Sequence, residues 1–377
     1  MKKLALLVTP ATAAAFIAIP ASPSLAGGGA QHAAITITSN AAFLSCRCVT
    51  AGTGTAADPY VIGPWAISSP SGGPNGGWSV KVDNSGGTVT AFFNITGITS
   101  AYNDTHPADP DIWLVNVHTP TAIASGNNGS TSTAANNNGT GVRLDGSSNI
   151  SLDDLQYNKM NGPGVFLNGS TFVTIDNSKL KSIGDVRPDG DGIYAVNSSH
   201  IRIGGGPGCP DHQPCNDLTY DDGFGIDLVN THDVMINAAA VGANDTGGYL
   251  LDGGNTYHVT LQHSQASGLG PICHAVNGQK ENTGYLTDLQ GALMLVNGAH
   301  DNAFANDSFN IPAAAPIPSI GSGGNGFYVN ACAGFVPQPF SPAEAGAGPG
   351  NTFSNVCYSL PANYPGLPPP ANNCPGS

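Results

Sequence analysis

Four stretches decide the fold: NGTGVRLDGSSNISL (138–152), NGPGVFLNGSTFVTI (161–175), DGDGIYAVNSSHIRI (189–203) and DDGFGIDLVNTHDVMI (221–236). A fifth, GGYLLDGGNTYHVTL (247–261), follows the same plan. The first apolar residue after the glycine is Val142, Val165, Ile193, Ile226 and Leu251, at steps of 23, 28, 33 and 25 residues. Eight residues further on stand Ile150, Val173, Ile201, Val234 and Val259, all β-branched. The two longer steps hold extra loop, SIGDVRP before Ile193 and GGGPGCPDHQPC before Ile226. β-branched residues in short alternating runs mark strands, and Asn, Asp, Gly and Ser between them mark turns. Each unit therefore holds two short strands around a polar corner, followed by a third strand such as DDLQYN or IDNSKL.

Three short strands per repeat in the low twenties predict one coil of a parallel β-helix, an all-β solenoid. Parallel coils stack ~4.8 Å apart, so like residues form ladders and every coil covers its neighbour. Leucine-rich repeats have similar periods, but their regular Leu and Asn positions are missing here. A sandwich or propeller would need antiparallel hairpins at two-residue turns. The repeat resembles that of right-handed parallel β-helix proteins of the pectate-lyase-like superfold. The opening segment GTGTAADPYVIGPWAI looks like the first coil of a broad class of secreted β-helix repeat proteins, among them the periplasmic copper-related proteins of nitrous-oxide reductase maturation. That second resemblance implies architecture and no activity.

Outside the regular part, GGWSVKVDNSGGTVTAFFNITGI and DIWLVNVHTPTAIA read as N-terminal coils. GALMLVNGAHDNAFANDSF and GNGFYVNACAG read as C-terminal ones, and SGNNGSTSTAANNNGTG as a long polar loop. Regular coils are expected over about 138–310, and an irregular Pro/Gly-rich cap over about 311–377 that protects the open edge of the last coil. The start, MKKLALLVTPATAAAFIAIPASPSLA, has a basic n-region, an apolar h-region and a small-residue cleavage site, the pattern of a signal peptide over 1–26. Residues 27–377 then form a single β-helix domain, placed outside the cell, in the periplasm or at the cell surface.

Only 10% of the 377 residues are charged, 51 are glycine and the net charge is −14. With 11 basic residues, nucleic acid and anionic membranes are poor partners, and a polyanionic glycan would need bridging cations or a local basic patch. Eight cysteines in an exported chain suggest disulfides, Cys209 with Cys215 within one loop and Cys273, Cys332, Cys357 and Cys374 over the C-terminal part. Cys46 and Cys48 remain near the start.

The acidic turns are the candidate site. Asp189 and Asp222 share one repeat position on adjacent coils, with Asp221 and Asp191 beside them. Crowded carboxylates raise one another's pKa, which keeps one protonated as a general acid, and an inverting glycosidase needs an acid and a base roughly 6.5–9.5 Å apart. The same repeat position takes Asn138 and Asn161 in other coils, so turn chemistry alone also accounts for these residues. RPDGDGI and YDDGFGI are similar to the catalytic coils of polygalacturonase-type glycoside hydrolases, whose motifs run Asn-Thr-Asp-Gly, Asp-Asp, Gly-His-Gly and Arg-x-Lys. That resemblance implies acidic catalytic roles for Asp189, Asp221 and Asp222. Arg187-Pro188 replaces Asn-Thr, and the Gly-His-Gly and Arg-x-Lys motifs that hold uronate are missing.

Arg187 and Lys280 are candidates for a base or a carboxylate clamp in lyase or uronate epimerase chemistry, often with calcium. Asp104, Asp109 and Asp111 in NDTHPADPD form a candidate calcium loop, although no cofactor is required. His200, His232 and His258 lie near one corner and read as solvent-facing, and Phe166, Tyr194 and Tyr249 as rings that pack on the sheet or stack on sugar. The expected function is a secreted polysaccharide-binding protein with glycoside hydrolysis as its favoured chemistry. The alternatives are a polysaccharide lyase or epimerase, and a non-catalytic surface scaffold.

Overall fold

The computed structural model describes residues 30–67, 77–100, 110–129, 139–158, 160, 162–181, 190–206, 216–219, 223–242, 247–267, 275–276, 279–280, 291–305, 308–310, 350–354 and 357–359. Nine parallel strands form one sheet in chain order: Ile35–Ile37, Val80–Asp83, Ile112–Val115, Val142–Asp145, Val165–Asn168, Ile193–Val196, Phe224–Val229, Gly247–Asp252 and Gly291–Val296. Among the described residues a second sheet, of 20 strands, bends at an internal corner and so supplies two further faces. Thr171–Asp176 and Lys179–Lys181, for example, lie on either side of Asn177. The chain is a parallel β-helix, as the repeat predicts.

The second ladder falls as expected: Ile150 opposes Val173, then come Ile201, Val234 and Val259. In the first ladder Val142, Val165, Ile193 and Ile226 are in register, but Ile226 opposes Tyr249, and Leu251 opposes Leu228. The fifth unit has two extra residues in its corner, around Gly253 and Gly254, where the sequence alignment had placed none. A two-residue slip preserves parity, so Tyr249 and Leu251 both point inward. Tyr249 is a fully buried core residue whose hydroxyl donates to the Ala239 carbonyl (3.2 Å), not a ring for sugar.

Left-handed residues stack at the corners. After the nine-stranded sheet come Asn116, Gly146, Gly169, Asn197, Asn230 and Gly253, all at positive φ, and around the start of the next strand Asn149, Phe172, His200, Asp233, His258 and Asp301. This geometry explains the Asn, Asp and Gly of the repeat. Beside the corner runs a buried hydroxyl ladder of Ser147, Ser170, Ser198, Thr231 and Thr256. The backbone N–H of each donates to the hydroxyl of the next coil: Ser147 to Ser170 (3.2 Å), Ser170 to Ser198 (3.0 Å), Ser198 to Thr231 (3.3 Å) and Thr231 to Thr256 (3.3 Å). The Ser170 and Thr231 hydroxyls in turn donate to carbonyls of the preceding coil, Leu144 (3.0 Å) and Ala195 (3.2 Å).

At the start a short helix, Asn40–Ser45, lays Phe43 against Tyr60 and Phe93 (5.0 and 5.4 Å between centroids), and Cys46 is bonded to Cys48. Part of the expected polar loop is strand, since Asn127 and Asn128 of Thr121–Gly129 pair with Leu155 and Gln156. Within the expected irregular tail, Thr352–Ser354 and Cys357–Ser359 pair in parallel with Ala303–Ala305 and Ser308–Asn310, so these residues are part of the solenoid. The predicted signal peptide, the Cys209–Cys215 loop and GNGFYVNACAG lie outside the described residues.

Replacing Thr231 by Val keeps shape but strands the Ser198 N–H in the interior, which costs about 1–3 kcal/mol. Urea unfolding should show Thr231→Val lower in stability by that amount and Thr231→Ser near wild type. Equal stability of all three proteins would remove the ladder as a structural element.

Candidate functional site

Alternation in the nine-stranded sheet sends two residues per strand outward, and stacking places them in two columns. The first column is Lys81, Trp113, Arg143, Phe166, Tyr194 and Asp227; the second is Asp83, Val115, Asp145, Asn168, Val196 and Val229. Planar groups in the first column pile on one another along the solenoid axis. The Lys81 ammonium sits 4.1 Å over Trp113 and 5.1 Å over Trp78, which meets Trp113 edge-on. The Arg143 guanidinium lies between Trp113 (5.2 Å) and Phe166 (5.1 Å), and Phe166 stacks on Tyr194 at 5.2 Å with planes 5° apart. Trp78, Lys81, Trp113, Arg143, Phe166 and Tyr194 remain partly exposed, whereas Asp227 at the end of the column is fully buried.

Asp145 ties the column together. Its Oδ2 accepts from Trp113 Nε1 and Arg143 Nε (both 2.7 Å), and its Oδ1 from Arg143 Nη2 (3.2 Å) and Asn168 Nδ2 (3.0 Å). Burial pushes this carboxyl up, but hydrogen bonds from Arg143, Asn168 and Trp113 and the guanidinium charge outweigh it and hold the group below its ordinary value. Asp83 likewise sits low, with burial opposed by Ser85 and by Lys81, whose ammonium is 3.0 Å away.

Of the acidic candidates, Asp191 is described. It is fully buried, and its Oδ1 accepts the Phe224 N–H of the next coil at 2.7 Å. A Cβ at Gly223 would stand 2.1 Å from that oxygen, so glycine is required where the two turns meet. Asp191 thus bonds one coil's turn to the next and does not open on a groove. Asp111, the described member of the expected calcium loop, is also buried, and its backbone carbonyl accepts from Ser79 and Val80. Asp104, Asp109, Asp189, Asp221, Asp222 and Arg187 lie outside the described residues.

The corner histidines form a second cluster. His232 stacks on Tyr257 (4.7 Å, 1°), Tyr257 on His300 (5.4 Å), and Phe172 packs on His200 (4.6 Å). Nδ1–H of His232 and of His258 donate to Asp233 (2.9 and 3.1 Å), and the His232 bond is the main reason that Asp233 sits below its ordinary pKa. Among the described residues no three His, Cys, Asp or Glu side chains are gathered as a metal would need.

Phe166 and Tyr194 were legible as exposed rings; Lys81, Trp113, Arg143 and Asp145 were not singled out. Reading the residue after each reference position across coils gives Arg143, Phe166, Tyr194 and Asp227 directly. Lys81 and Trp113 needed the N-terminal strands to be set in register first.

No family model and no curated protein matches this chain. Similar solved structures include an alginate lyase from Paenibacillus sp. str. FPU-7, 15% identical at a TM-score of 0.38 over 76% of this chain and 89% of the lyase. They also include the enzymatically active domain of bacteriophage CBA120 tailspike protein 2, 12% identical at a TM-score of 0.36 over 77% of this chain and 40% of that one.

A depressed carboxyl stabilises the fold above its ordinary pKa, and that stabilisation is lost as pH falls through the lower folded value. For Asp145 the loss therefore begins below 3.8. Thermal midpoints should fall more steeply below about pH 4 in the wild type than in Asp145→Asn. Identical slopes would show that Asp145 does not hold the column.

Proposed function

We propose that the chain binds a polysaccharide along the outer face of the nine-stranded sheet and cleaves it by glycoside hydrolysis. The observation that carries the binding is the partly exposed column from Trp78 to Tyr194, in register over five coils beside a row of polar and apolar groups. Ring edges and Val115 and Val196 meet the C–H surface of a sugar chain, while Asn168 and the carboxylates meet its hydroxyls. Coils spaced ~4.8 Å apart give a linear array suited to a linear polymer.

For cleavage, one protonated carboxyl gives its proton to the glycosidic oxygen while a second, ionised one draws a proton from the attacking water. Asp189, Asp221 and Asp222 are the proposed sources. Gly190 and Gly223, which follow Asp189 and Asp222 in the chain, are hydrogen bonded between adjacent coils at 2.9 Å. Tyr194, the end of the ring column, lies on the strand that Gly190 precedes. A second reading, a rigid non-catalytic scaffold, is favoured by the ring faces being taken up by one another, since such stacks also stabilise a sheet.

Affinity electrophoresis in soluble polysaccharides separates the two. Trp113→Ala should bind about tenfold more weakly, the equivalent of about 1.4 kcal/mol, with Phe172→Ala, at the exposed corner outside the two columns, unchanged. New reducing ends should appear with the wild type and vanish in an Asp189→Asn/Asp222→Asn variant of normal thermal midpoint. Absence of retardation by any glycan would establish the scaffold.

A further inference from the structure

The charges on this face point to a class of ligand. We propose that it takes an uncharged glycan and rejects uronate and sulfated polyanions, an inference that rests on the binding role given above. Among the described residues the two outer columns carry two partly exposed basic side chains, Lys81 and Arg143, and three partly exposed acidic ones, Asp83, Asp145 and Asp252, while Asp227 of the same array is fully buried. Both cations are already paired with a carboxylate of the face. Lys81 is 3.0 Å from Asp83 and 4.1 Å over Trp113, and Arg143 is bonded through Nε and Nη2 to the two oxygens of Asp145 (2.7 and 3.2 Å).

To pair with either cation as closely, an anionic sugar would have to displace the carboxylate already bound to it. The exchange replaces one carboxylate by another, gains no net ion pair, and leaves Asp145 half-buried beside the newcomer. Trp113 and Asn168 would lose their common acceptor at the same time. The chain as a whole carries a net charge of −14, so the long-range field also repels a polyanion.

An uncharged chain meets none of these costs. Stacking along the axis leaves the ring edges outward, and the edge is the positive end of the aromatic quadrupole. Hydroxyl oxygens are weakly negative and suit such edges, while Asn168 and the outward sides of the carboxylates accept hydroxyl protons. The acidic columns thus select against polyanions by repulsion as much as for neutral chains by contact.

The test is affinity electrophoresis of the full protein in β-glucan, galactomannan and arabinoxylan beside alginate and polygalacturonate, at low and at physiological ionic strength. A neutral glycan should retard the protein equally at both, because no ion pair with the ligand is screened. Alginate should not retard the wild type but should retard Asp83→Asn and Asp145→Asn, each of which frees a cation. Stronger retardation by a uronate than by every neutral glycan, lost in Trp113→Ala, would overturn this inference and leave the binding role intact. Failure of every polysaccharide to retard the protein would overturn the binding role itself, and this inference with it.

Discussion

Every coil of this molecule depends on bonds made to the coil beside it. A parallel strand of four residues has no partner within its own repeat, and the corners between strands turn too sharply for a regular ladder. The Ser/Thr column solves the corner problem, with each hydroxyl taking an N–H from the preceding coil and those of Ser147, Ser170 and Thr231 returning a proton to a carbonyl there. Left-handed residues at the adjoining corner make that approach possible. Remove the neighbour, and a coil has buried polar groups without partners as well as half a core. Cooperativity in such a solenoid is accordingly a nearest-neighbour property.

The same constraint shapes what the surface can do. Each strand of the nine-stranded sheet offers two outward side chains, so a coil by itself holds too few groups to grip a ligand. A site has to be assembled across coils, as Asp145 does by accepting from Trp113 of one coil, Arg143 of its own and Asn168 of the next. Parallel register makes this possible, because a column keeps its alignment however long the loops between strands become. Steps of 28 and 33 residues therefore leave Phe166, Tyr194 and Asp227 in line.

Legibility followed register. Where the β-branched pair lay eight residues apart, as at Val165 and Val173, the sequence reading placed both ladders correctly. Two added residues at Gly253 and Gly254 were enough to shift Leu251 out of place and to turn Tyr249 from a candidate surface ring into core. The hydroxyl column stood in plain view as Ser, Ser, Ser, Thr and Thr, yet read only as a polar corner, since burial is invisible in a single sequence. Asp191 shows the related point that a carboxylate bonding a backbone N–H and one poised for chemistry use the same letters. The ring column reaches back to the strands at Val80 and Ile112, which lie before the repeat that starts at Val142, so its members had no common frame.

A stacked column also constrains how binding can evolve on this scaffold. Trp113, Arg143 and Phe166 hold one another's faces, and a ligand that demanded those faces would have to undo the contacts that order them. Edges and flanking amides can be altered without that cost, because a change from Asn168 to another polar residue touches one coil and its two neighbours. Carboxylates are harder to exchange: Asp83 and Asp145 each neutralise a cation that would otherwise lie half-buried over a ring. For a ligand of the proposed kind, specificity along the face is thus adjustable in its hydroxyl contacts and fixed in its charge, and the charge follows from the way the column is held together.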